Sequence, residues 1–209
     1  WFARQESEGM FRREWLGPLL PCPKTSDIKA RVRAWDIAGT LKTEANVNPD
    51  WTVGVLMSKD KHGTFYIEDV IRIRVRFGEL IDLIAKTAIK DRDLYGDVET
   101  LIPIEPAAHG KIAHKYNVDQ LATYGVSAKG IPAGQKSKVT RFAPFSASSE
   151  VGSVKCVKAP WNDDFFYELE TFDGSRNKKD DQVDSVAMAF TRLAQNKELP
   201  QFRLEVFTR

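Results

Sequence analysis

The segment Arg31 to Thr40, RVRAWDIAGT, constrains the fold more than any other part of the chain. Val32, Ala34, Trp35 and Ile37 give it the character of a buried strand. A single carboxylate, Asp36, stands at its far end, and Gly39 and a polar run follow. An acid on a core strand costs several kcal/mol unless something pairs with it. An Asp capping the turn after the strand is the simplest account. Two acidic stretches downstream supply another.

The pattern along the chain predicts the elements around that strand. Residues Trp1 to Asp27 are irregular, and Pro18, Pro21 and Pro23 break any helix after a short amphipathic run from Phe11 to Leu16. This stretch, 1–28, reads as a linker arm. Strands are expected at Lys29–Ala38, Trp51–Ser58 and Thr64–Arg76, the last two joined by the turn KDKHG. Helical spacing begins at Phe77 and runs to Ile89, with Leu80, Ile81, Leu83, Ile84 and Ala88 as one stripe. TLIPI, Thr100–Ile104, reads as a short central strand ending at Glu105. A helix is expected from Pro106 to Tyr116, opening on a suitable first-turn proline. A fifth strand at Gly125–Ile131 and a helix at Gln135–Phe145 follow, then a short apolar stretch at Val154–Val157. Two amphipathic helices, Pro160–Thr171 and Asp180–Gln195, close the domain, and 197–209 reads as an edge strand or an arm. Three strands as a meander joined to βα units imply an α/β fold. The sheet is then mixed and central, with helices on both faces. The domain is expected over 29–196.

Composition excludes several classes. At 209 residues the chain suits one α/β domain with extensions, or two small ones. The net charge of +2 does not by itself announce nucleic acid. Cys22 and Cys156 lie far apart and form no CxxC pair, which favours a reducing interior. No apolar run approaches the ~18 residues of a membrane span. There is no GxxxxGKS/T phosphate loop. The chain begins with Trp1 and is read as a piece of a longer protein.

The acids are the informative pattern. If the first and fourth strands are neighbours, Asp36 and Glu105 emerge at adjacent carboxyl ends, where open α/β sheets build their sites. Asp181 and Asp184 are three apart and share a helix face, with Asp180 beside them. Carboxylates crowded together resist ionisation. Hard divalent cations remove that problem and prefer oxygen ligands. Two ions ~4 Å apart can activate a water and stabilise the leaving oxygen of a phosphodiester. His109 and His114, five apart, are poorly spaced for zinc.

The segments AWDIAGT, PDWTVGVLM, LIPIEPAAHGKIA, KSKVTRFAPFSASSEVGSVKCV, WNDDFFYELETF and KKDDQVDSVAMAF occur in this order. Together they resemble the C-terminal nuclease domain of the large terminase subunit of tailed bacteriophages and prophages, over roughly residues 29–195. The resemblance implies a ribonuclease H-like fold that cuts concatemeric viral DNA during head packaging with two Mg2+ or Mn2+ ions. Asp36, Glu105 and Asp181 would then be the catalytic metal-binding acids. Asp184 joins them because the D-x-x-D spacing is also similar to the last helix of Holliday-junction resolvases. Which of Asp180, Asp181 and Asp184 ligate directly stays open. Many relatives carry His before the paired Asp, where this chain has Lys179. The resemblance further implies double-stranded DNA as substrate, an ATPase domain upstream, and the portal and small terminase subunit as partners, in the cytoplasm of a bacterial host. Lys111, Lys136, Lys138 and Arg141 are the expected phosphate contacts, which position a duplex without reading its sequence. A resolvase, a transposase-like enzyme of the same fold, or a docking module with inert acids are the alternatives. DIAGT is also similar to the phosphate loops of actin-like ATPases and sugar kinases, but its glycine falls one position late and has no second copy.

Overall fold

The computed structural model describes residues 9–38, 48–104, 108–132, 136–175 and 178–195. Six strands, β1 (Ile28–Asp36), β2 (Thr52–Asp60), β3 (Phe65–Ile73), β4 (Glu99–Ile104), β5 (Ala128–Pro132) and β6 (Val154–Cys156), form one sheet in the order β5-β4-β1-β2-β3-β6. The expected meander is present, since β1 pairs antiparallel with β2 and β2 with β3. The outer strands add in parallel, β4 to β1, β5 to β4 and β6 to β3. Strands β1 and β4 are therefore neighbours with their carboxyl ends on the same edge, as the expectation for Asp36 required. Glu105, which follows β4, lies outside the described residues, as do residues 39–47 of the loop after β1 and the tail 197–209.

β2 is buried along nearly its whole length, so its apolar run is continuous instead of alternating. One face of the sheet carries Val32, Ala34, Val53, Val55, Met57 and Leu101 against the helices α3 (Lys138–Glu150), α4 (Asn162–Thr171) and α5 (Asp181–Gln195). The other carries Trp35 and Ile102 against α1 (Phe77–Tyr95) and the end of α2 (Ala108–Thr123). Phe11 and Leu16, from the irregular N-terminal segment, are buried in the first of these clusters.

Several boundaries differ from the sequence pattern. α1 runs on to Tyr95, because the inward position after the apolar stripe is Asp91, whose carboxylate receives the Arg33 guanidinium at 2.5 and 2.9 Å. A buried ion pair replaces an apolar contact there. α3 starts at Lys138 with Ser137 as its cap and continues past Phe145, through Pro144, to Glu150. α2 extends to Thr123. The stretch around Val154 is a genuine edge strand, too short to show a period.

Two local features fix the central strands. Arg33 also reaches Asp69 at 2.9 Å and the Gly54 carbonyl at 3.1 Å, tying α1, β1, β2 and β3 together. Gly54, opposite Trp35 in the register, has no side chain because a Cβ would lie 2.7 Å from the indole. On the opposite face, the buried Ser185 hydroxyl accepts from the Asp36 amide at 3.0 Å and donates to the Val53 carbonyl at 3.0 Å. One side chain thus holds α5 to the ends of β1 and β2.

Two stability outcomes follow. Arg33→Ala leaves Asp91 buried without its counter-charge and should cost about 3–5 kcal/mol in urea unfolding. Ser185→Ala strands the Asp36 amide and should cost about 1–3 kcal/mol; a variant as stable as the wild type would show that the hydroxyl bridge contributes nothing.

Candidate active site

The site gathers at the carboxyl end of β1. Asp36 is the last residue of that strand, at the point where Val32 and Ala34 have already set the side facing α5. Asp181 and Asp184 occupy the first turn of α5, where a helix N-terminus favours negative charge. Val183, Val186, Ala187, Phe190 and Leu193 bury the opposite stripe of α5 and fix its rotation. Ser185 then sets its height over the strands.

The electrostatics are those of crowded acids. Burial pushes the Asp36 carboxyl well above the usual carboxylate range, and the charges of Asp184, Asp181 and Asp180 push it further, with Lys138 opposing them. Burial likewise raises Asp181 to about 6, although the Trp51 amide donates to its Oδ2 at 3.3 Å and favours the ionised form. Glu168 and Asp50 add to the rise and Lys179 opposes it.

Asp184 is handled differently. Lys138 Nζ lies 2.8 Å from its Oδ2 and Arg141 Nη2 lies 2.5 Å from its Oδ1. Lys138 also contacts Asp180 at 2.7 Å. Its ammonium is held above the ordinary lysine range, because these contacts outweigh the cost of burial. Two expected DNA contacts are therefore engaged with an expected metal ligand. Lys136 is exposed just before α3 and lines a cleft of about 500 Å3 with Asp36, Arg141 and Asp184. Lys111 is exposed near the start of α2, on the helix layer across the sheet.

Three further residues were not legible as parts of the site. The Glu168 carboxylate accepts from the Gln182 amide at 2.6 Å and from its side chain at 2.7 Å, capping the start of α5. Its signal was an acid at an inward position of α4, between Phe165 and Leu169. The Trp51 ring has the guanidinium carbons of Arg74 and Arg72 over it, 3.9 and 4.4 Å from its centroid, and these contacts form a clamp on the side chain. That clamp steadies the backbone whose amide meets Asp181. Ser185 gave no signal, since one serine in a helix is ordinary.

Among the described residues, no three His, Cys, Asp or Glu side chains close into a ready metal cage. The donor chemistry nonetheless fits a hard divalent cation. Asp36, Asp181 and Asp184 offer only carboxylate oxygens, and Asp36 is raised first by burial and then by the neighbouring carboxylates, whose repulsion such an ion removes. Lys138 and Arg141 neutralise Asp184.

Residues 33–193 match the family model for the terminase RNaseH-like domain. No curated protein sequence matches the chain. The fold is similar to the large terminase nuclease domain of Thermus phage P74-26, with a TM-score of 0.55 and 17% identity over 86% of this chain and 92% of that one. It is also similar to the human cytomegalovirus terminase nuclease domain, solved after a Mn soak, with a TM-score of 0.59 and 13% identity over 88% and 92%. At such identities the likeness speaks for the fold, a ribonuclease H-like mixed sheet. With most of its length covered by the family model, the chain belongs to the terminase RNase H-like domain family.

Proposed function

We propose that this domain is a metal-dependent endonuclease that cuts double-stranded viral DNA during genome packaging, with little sequence preference. The observation that carries the reading is Asp36. It ends a core strand, half-buried, in the combined field of Asp181, Asp184 and Asp180, which Lys138 opposes only in part. A protein tolerates such an arrangement when a divalent ion completes it.

In this reading Asp36, Asp181 and Glu105 are the catalytic ligands, with Asp184 beside them. Bound Mg2+ or Mn2+, as a pair, would supply an activated water and charge for the leaving oxygen. The chain's own part is to hold the carboxylates in place. Ser185 fixes Asp36 against α5, the Trp51 amide orients Asp181, and Glu168 caps the helix that bears both aspartates. Lys136 and Lys111 would hold the phosphate backbone on either side. The Mn soak of the cytomegalovirus domain supports the choice of ions. Membership of a terminase family supports the packaging role; an upstream ATPase domain, portal and small-subunit partners and a bacterial host belong to the same proposal.

With Mn2+ or Mg2+ the wild-type domain should nick and linearise plasmid, and EDTA should stop it. Asp36→Ala should lower the rate by more than ~100-fold, beyond the loss typical of an outer partner of a ligand. Equal digestion by wild type and variant would overturn the reading. Lys136→Ala should weaken duplex binding and reduce the slope of log affinity against log salt by about 1. An unchanged slope would remove Lys136 from the interface.

A further inference from the structure

We propose that Lys138 and Arg141 act as an internal stand-in for the metal at Asp184, and that their transfer from Asp184 to DNA phosphate couples ion binding to DNA binding. The inference rests on the nuclease reading above and adds a positioning role for these two residues.

Four observations carry it. The two cations are three apart on α3 and so share one face of that helix. Between them they take both oxygens of Asp184, at 2.8 Å and 2.5 Å. Their side chains remain 44% and 32% exposed, so neither is locked in the core and either can turn away without unpacking α3. Arg141 and Asp184 also sit together in the wall of the 500 Å3 cleft that contains Asp36, so a released guanidinium stays at the site.

The physical consequence is competition. A divalent ion at Asp36 and Asp184 competes for the oxygens that the ammonium and guanidinium contact, and it repels both groups. Once displaced, they are one side-chain length from any phosphate lying against those acids, and a phosphate is the partner an arginine fork suits best. The linkage runs both ways. DNA that draws Lys138 and Arg141 off Asp184 frees the same oxygens for the ion, so each ligand raises the affinity of the other by one factor. Contacts that only pin α3 to α5 would predict the opposite, because losing them would loosen the site and weaken ion binding.

The test compares wild type, Lys138→Gln and Arg141→Gln. Mn2+ uptake without DNA is read by electron paramagnetic resonance. Affinity for a short labelled duplex is read by fluorescence anisotropy with and without Ca2+. Each variant should bind Mn2+ about fivefold or more tightly than wild type. Wild type should bind duplex more tightly by a similar factor when Ca2+ is added, and in the variants that gain should shrink towards none. The second readout separates transfer from simple repulsion between a lysine and an ion, which would leave the gain intact. The proposal is overturned if neither variant binds Mn2+ more tightly, if wild-type duplex binding ignores Ca2+, or if the variants keep the wild-type gain. If wild type takes up no Mn2+, the nuclease reading falls with it. If Asp36→Ala abolishes cutting while the variants behave like wild type, only this inference is lost.

Discussion

Repulsion among carboxylates at one edge of the sheet is the constraint to which the rest of the structure answers. Asp36, Asp181, Asp184 and Asp180 come from two elements that must approach closely for the fold to form at all. The chain meets the cost with separate devices. A helix N-terminus receives two of the acids, a backbone amide binds Asp181, and two cations from α3 take Asp184. For Asp36, burial first and then the neighbouring aspartates raise the titration, and Lys138 opposes them only in part.

The two faces of the sheet solve different problems. Under α1, the central strand carries Arg31 and Arg33, each buried against a carboxylate, Glu68 and Asp91. Such pairs add little net stability but are costly to break, so they fix which helix packs where. Under α5 the same strand is apolar until Asp36, so no competing cation lies on that side of β1. Alternation along one strand therefore separates structural charge from the charge of the site.

Much of this was readable from the residues. The meander, β4 and α5 have strong periods, and the neighbouring of β1 and β4 followed from ordinary α/β topology. The failures share a cause, which is that a polar residue at an inward position hides the pattern. Asp91 ended the expected α1 too early because Arg33 lies far away in sequence. Pro144 and the serines after it masked the second half of α3. Glu168, Ser185 and the Trp51 clamp were invisible because each acts through a long-range partner. Lys138 and Arg141 were expected as phosphate contacts, and nothing local shows that Asp184 would claim them. Glu105 falls outside the described residues, so its place beside Asp36 stays an expectation of the strand order.

The bridge from Asp36 to Ser185 spans 149 positions of sequence. So non-local a contact forms late relative to the local turns and helices between its ends. During synthesis the ribosome must therefore release α5, the last described helix, before the acids can meet. A nascent or truncated polypeptide holds Asp36 without its companions, so the hazardous chemistry proposed for this pocket is withheld until the domain is whole.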